Sequence, residues 1–309
     1  MDMLEESGLV CLAGKVNMDR NSPTNLSEEN AAASLAATRD WLDKCSAYKN
    51  VRPILTPRFI PSCSDGLMEG LGKLQREFNL PVQSHLSENH KEIEWVKKLH
   101  PDISGYGAVY DRFGLFGHSP AEAGAPAVMA HCVHSDEKEI ALLSERQVYI
   151  AHCPQSNTNL SSGIAPVRHF LEAGIPVGLG SDIAGGIHSS IFRAMADAVQ
   201  VSKLRRALIN SEEKPLTIEE VFYLGTVGGH SFFKDCGFGN SGSFDPGNDF
   251  DALVIDDAEP ALGYQPAELS IKERLERAIY LSDDRHIKAK FVRGSAGGIN
   301  CGVIFSPRR

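Results

Sequence analysis

Short apolar runs rich in β-branched residues alternate along the chain with longer stretches of helical period. The runs are GLVCLAGKV, VRPILTP, LPVQSH, APAVMAH, RQVYIAH and IPVGLGSD. Between them Leu67, Leu71, Leu74 and Phe78 follow the i, i+4, i+7, i+11 spacing of one helix face. Ser27, followed by Glu28 and Glu29, reads as the N-cap and acidic first turn of an Ala-rich helix. Ser135, Asp136 and Glu137 open another helix ahead of Ile140 and Leu143. Strands that are continuous apolar runs, each followed by a helix, predict a parallel sheet covered on its faces.

A doubly wound open sheet and a (β/α) barrel both meet that description, and the polar residues separate them. Four runs end on an ionisable side chain: His85, His131, His152 and Asp182. Barrel enzymes gather their chemistry at the C-terminal ends of several strands, so the pattern favours a barrel. No GxGxxG or GxxxxGK[ST] follows the first strands, which weakens a nucleotide-binding open sheet.

The texture changes after a capping box at Thr217 and Glu220. NSGSFDPGNDFDALVID predicts turns and then a short strand, Ala252 to Ile255. Ser270 and Glu273 form a second capping box. HIKAKFVRG alternates apolar and basic residues, as a half-buried strand does. The expected organisation is therefore a barrel domain over residues 1–245, a remnant of a small β domain with one helix over 246–293, and a tail, 294–309, with no assigned structure.

Composition narrows the function. Of 309 residues, 42% are hydrophobic and 23% charged, an ordinary globular balance. No apolar run approaches the roughly 20 residues that span a bilayer, and the acidic N-terminus lacks the basic region of a secretory signal. A membrane partner is not expected. Seven cysteines, an odd number without CxxC pairs, suit a reducing, cytoplasmic compartment. A formal net charge of −9 argues against a nucleic-acid partner and for a small molecule.

Each strand-end residue has a structural and a chemical reading. In QSHLSE, His85 ends a strand and Glu88 stands three residues later, where a helix begins. A neutral imidazole is a good zinc ligand and a nearby carboxylate can move protons. Equally, Glu88 could serve the helix N-terminus and His85 could be a satisfied rim residue. His131 repeats the pattern as a ligand or water-orienting group, whereas His134 reads as a loop residue and His152 as structural. In GLGSDIAGG, Gly178 and Gly180 permit a tight bend that delivers Asp182. A buried carboxylate needs a partner, which a metal or a following helix N-terminus would supply.

These segments carry a resemblance. SHLSE, IAHCP and GLGSDIAGG look like strand motifs of the amidohydrolase superfamily. TPRFIPSCSDGLM, VYDRFGLFG and LERAIYLSDDRHIKAKFVRG resemble its guanine deaminase branch. The likeness runs from about Gly14 to Gly294. It implies zinc held by His85 and Asp182, with His131 orienting the attacking water. Glu88 would carry protons to the purine, and Asp182 would take the water's proton. Arg58 and Phe59 would contact guanine by hydrogen bonding and by packing; His85, Glu88 and Asp182 would also border the substrate. Hydrolysis to xanthine and ammonia in a cytoplasmic homodimer is the activity so implied. The H-x-E and P-C-x-x-C pattern of cytidine-type deaminases is missing.

The chain departs from the family pattern in one respect above all. Its eleven histidines include no HxH pair, the pair that supplies two zinc ligands on the family's first strand. GLVCLAGKVNMD resembles the third strand, so about six of the eight barrel strands are expected here. Asn248 and Asp249 also stand where a Lys-Glu or Lys-Ala pair is commoner. A deaminase in shortened form therefore competes with a non-catalytic relative acting through protein contacts. A third possibility is an aminohydrolase for another purine or a triazine, against which Arg58-Phe59 argues.

Overall fold

The computed structural model describes residues 1–117, 124–257 and 268–296. Each of the six apolar runs forms a strand. The first two are broken into pairs, β1 (Cys11–Ala13) with β2 (Val16–Asn17) and β3 (Val51–Pro53) with β4 (Thr56–Pro57). The others are β5 (Val82–Leu86), β6 (Ala127–His131), β7 (Tyr149–His152) and β8 (Val177–Leu179). β1 pairs with β3 and β2 with β4, all parallel, and a parallel bridge from Leu55 to Val82 carries the order on to β5. From there β5, β6, β7 and β8 are parallel neighbours in sequence order. Six strands in chain order, each preceded by a helix-bearing crossover after the first, form the curved sheet of a (β/α) barrel.

Burial follows the two-residue period of the strands. Val82 and Leu86 on β5 and Met129 on β6 point outward into one core shared with Leu67, Leu71 and Phe170 from the covering helices. Gln83, Val128, Tyr149 and Gly178 line a cavity of about 430 Å³ on the inner face, bordered also by Thr226, Gly229 and Phe232. None of His85, Glu88, His131 or Asp182 borders that cavity; they stand on the rim at the strands' C-terminal ends.

Local chemistry explains most helix boundaries. The helix Asp65–Phe78 starts on Ser64, whose side chain accepts from Leu67 N, and stops where Asn79 turns left-handed at φ 50°. Leu67, Leu71 and Leu74 are buried, but Phe78 is half exposed, with the Arg39 guanidinium over its ring. The capping boxes at Thr217–Glu220 and Ser270–Glu273 both form. One boundary differs from expectation: the Ala-rich helix, Ala31–Cys45, is capped by Asn30 rather than Ser27. Glu28 is drawn away to the Lys15 ammonium, so its carboxylate serves an ion pair and not a helix dipole.

The C-terminal segment forms an antiparallel sheet in which β10 (Ile287–Val292) lies between β9 (Ala252–Ile255) and β11 (Ser295–Ala296). The tail beyond Gly294 thus supplies a short strand where none was expected, because Ser295 and Ala296 can fold back on Val292 and Phe291. The remainder of that tail, from residue 297, lies outside the described residues.

Candidate active site on the strand rim

His85 is the last inward-facing residue of β5. Its Nδ1 lies 2.6 Å from the Arg58 carbonyl oxygen, which can only accept, so Nδ1 carries the proton and Nε2 presents a lone pair. Burial, then the neighbouring His131 and the Arg58 charge, hold the imidazole below its ordinary pKa, and that hydrogen bond only partly opposes them. The ring is therefore neutral, the form a metal needs. Behind it the Tyr110 hydroxyl sits 2.7 Å from Ser84 Oγ and 2.9 Å from the His85 carbonyl. Ser84 Oγ in turn donates to the Pro57 carbonyl at 2.6 Å, which ties the end of β4 to β5.

By strand alternation His131 should face outward, since Met129 does. Left-handed backbone at His131 (φ 75°) and Cys132 (φ 49°) breaks the alternation and swings the ring inward. It stacks on His85 with centroids 5.3 Å apart. Asn157 Oδ1, 2.9 Å from His131 Nδ1, fixes the ring, and His131 Nε2 stands 3.8 Å from Glu88 Oε2. Glu88 does not cap the following helix, a role taken by Asn89. Its Oε1 instead accepts a 2.9 Å hydrogen bond from Ser162 Oγ.

Asp182 follows β8 in a left-handed conformation (φ 42°), and its backbone carbonyl closes a turn with Gly185 and Gly186. It caps no helix; the next one begins at Ile191. Gly178 and Gly180 do not supply a bend either. They are bare because a Cβ on Gly178 would lie 2.9 Å from Gly229 Cα, and one on Gly180 would lie 2.8 Å from Cys153 Sγ. Arg58 is exposed at the end of β4, and Phe59 beside it meets Trp95 edge to face, centroids 6.2 Å apart. His152 is fully buried, with neither ring nitrogen paired among the described residues; burial and then His131 push its pKa down to about 3.

One rim thus carries His85, Glu88, His131, Asp182 and Arg58. The donor set suits zinc in kind, an imidazole nitrogen with its tautomer fixed and a carboxylate. Among the described residues no three His, Cys, Asp or Glu side chains cluster as a metal would require.

Residues 2–297 match the model of the amidohydrolase family. The chain belongs to the amidohydrolase family. Among relatives, the guanine deaminase of Dictyostelium discoideum is 42% identical over 301 residues, which cover 95% of this chain and 64% of that protein. The chain therefore spans under two thirds of that relative's length. A guanine deaminase from C. acetobutylicum, solved with guanine in its active site, superimposes with a TM-score of 0.87. It is 47% identical, over 96% of this chain and 67% of that one. An atrazine chlorohydrolase from Arthrobacter aurescens TC1, solved with zinc, shares the amidohydrolase fold at a TM-score of 0.78. It is 19% identical, over 96% of this chain and 62% of that one.

Reasoning from the sequence overlooked Asn157 and Ser162 as site residues, and it read His134 as a loop residue only. The signal was present in QSN and SSG, two polar clusters flanking Leu160 after a strand-end His. Polar clusters are also what any loop contains, so the pattern alone does not single them out.

Proposed function

We propose that this rim is the site of a zinc-dependent hydrolytic guanine deaminase, which converts guanine and water to xanthine and ammonia. The observation that carries the reading is the 3.8 Å gap between Glu88 and His131, beside a His85 nitrogen that is open to a metal. The identity to a deaminase solved with guanine supports the choice of substrate.

His85 and Asp182 would hold the zinc, which supplies Lewis acidity and makes water a nucleophile near neutral pH. His131, oriented by Asn157, directs that water. Asp182 takes the proton the water loses as it adds to the carbon bearing the exocyclic amine. Glu88 would move the adduct's remaining hydroxyl proton to the adjacent ring nitrogen as the C=O bond forms. The proton held by Asp182 would pass to the exocyclic amine, so that ammonia leaves and both carboxylates are restored. The Arg58 guanidinium makes no hydrogen bond or ion pair to another described residue, and its donors are left for the purine; Phe59 packs on the ring.

No helix among the described residues is long and apolar enough to cross a membrane, and the six described cysteines are all unpaired thiols. Unpaired thiols suit a reducing, cytoplasmic compartment, and the deamination of guanine would place the enzyme in purine catabolism. A homodimer fits the outer edges of β1 and β8, which have no strand partner among the described residues. The division into a barrel domain, 1–245, and a β-domain remnant, 246–293, is proposed on the same footing.

The test is direct. With zinc supplied, the chain should release ammonia and xanthine from guanine, and Arg58→Ala should weaken guanine binding tenfold or more while leaving thermal stability nearly unchanged. Equal guanine affinity in the variant would make Arg58 a bystander and remove guanine from the reading.

A further inference from the structure

We propose that Ser162 is the positioning residue for Glu88, and that Asn157 and His134 hold Ser162 so that Glu88 and His131 are set by one scaffold. The inference rests on the reading of Glu88 as the proton carrier.

Glu88 stands in a place where its own backbone does little to aim it. Ser87 before it is left-handed at φ 47°, and the helix begins only after Asn89. A glutamate there has three rotatable side-chain bonds and access to solvent. What fixes the carboxylate is the 2.9 Å hydrogen bond from Ser162 Oγ to Oε1. The hydroxyl is the donor and the carboxylate oxygen the acceptor. With Oε1 committed, Oε2 is the oxygen that faces His131 Nε2.

Ser162 is itself held from two sides. Its backbone N–H donates to the Asn157 carbonyl at 2.8 Å, and Gly163 N–H donates to the same oxygen at 3.3 Å. The Asn157 side chain is the group that orients His131, through Nδ1 at 2.9 Å. On the other side His134 Nε2–H donates to the Ser162 carbonyl at 2.7 Å, while His134 N–H donates to the Ser87 carbonyl at 2.9 Å. The circuit closes: Ser87 and Glu88 are joined to Ser162 through His134, and Ser162 to His131 through Asn157. The loop is also pressed close. Ser161 is left-handed at φ 59°, and Gly163 takes φ 132°, where a Cβ would stand 2.9 Å from Val133 Cγ1 and 3.3 Å from His134 Cε1. Ser162 is buried, so its hydroxyl is not shared with bulk water.

A serine that merely filled space could be replaced by alanine without consequence for His131. A positioning serine could not, and threonine, which keeps the hydroxyl, should replace it. The test uses the full chain with ¹⁵N-labelled histidine and reads the His131 imidazole, which needs neither metal nor substrate. Zinc-loaded guanine turnover is measured alongside, with Glu88→Gln as control. Ser162→Ala should shift the His131 Nε2 resonance and lower kcat about 10- to 100-fold, with KM within about threefold. Ser162→Thr should restore both. An unmoved His131 resonance in Ser162→Ala, or a Thr variant that restores nothing, would overturn the inference. Should the unmutated chain show no guanine binding or turnover, the deaminase reading falls by itself, and the His131 resonance still decides the role of Ser162.

Discussion

A histidine ring is informative once one of its nitrogens is committed, and three rings near the rim have such a commitment. His85 and His134 give theirs to carbonyl oxygens, which fixes the tautomer without further assumption. These commitments could not be read from the sequence, because the partners Arg58 and Ser162 are 27 and 28 residues away. The strand-end positions of His85 and Asp182 were legible, since apolar runs stop there. The inward turn of His131 was not, because it depends on two non-glycine residues adopting left-handed backbone. A buried carboxylate away from the rim residues yields a separate prediction. Burial pushes the Glu92 carboxyl up to about 7, and the Tyr106 hydroxyl 2.5 Å away only partly opposes this. The folded chain thus binds this proton more tightly than the unfolded chain, whose carboxyl ionises near 4.5. The resulting stability is fully present below the lower value and is lost as pH rises through the higher one. Relative to Glu92→Gln, the unmutated chain should lose on the order of 3 kcal/mol of unfolding free energy across that window. Urea titrations at several pH values measure it, and parallel pH profiles for the two proteins would show that Glu92 is already ionised in the fold.

Elements were legible in proportion to how local their causes are. The capping boxes at Thr217 and Ser270 are reciprocal contacts over three residues, so the spacing alone specifies them. The start of the Ala31–Cys45 helix was misplaced because Glu28 is claimed by Lys15, thirteen residues earlier. The glycines of GLGSD show the same limit. A glycine can be needed for a bend or for space, and only the neighbouring chain tells which. Here β8 lies so near the residues that start the helix Gly229–Asp235 that Gly178 has no room for a methyl group. Gly178→Ala must push backbone against backbone, since the atom in the way is Gly229 Cα. The expected loss is about 1–3 kcal/mol of stability. Thermal unfolding, compared with Gly174→Ala at an open, positive-φ turn, separates the two costs. A Gly178→Ala protein as stable as the unmutated one would mean that the helix does not seat on β8 in solution.

At the scale of the whole molecule the alternation of apolar strands and helices was enough to specify a parallel α/β fold. The choice of a barrel came from where the ionisable residues fall. His85, His131 and Asp182 share one rim because β5 to β8 are parallel neighbours in sequential order, and that does not need a closed ring. Metal affinity is another matter, because it depends on ligand number. A catalytic zinc site commonly uses three protein ligands and keeps one position open. On the proposed reading this chain offers His85 and Asp182 as ligands, with His131, held at Nδ1 by Asn157, assigned to orienting water, and it contains no HxH pair. Two ligands on different strands, with no third clustered beside them among the described residues, make a site that fills only when zinc is in excess. A water so held is also less well aligned, and misalignment of that kind costs rate steeply. The 309-residue chain should therefore lose zinc on desalting, and its guanine turnover should rise with added zinc well beyond one equivalent per chain. Competition against a chromophoric zinc chelator gives the affinity, and ammonia release in the same samples gives the rate. One zinc per chain that survives desalting, with turnover indifferent to added metal, would show that this rim completes its ligand set by itself.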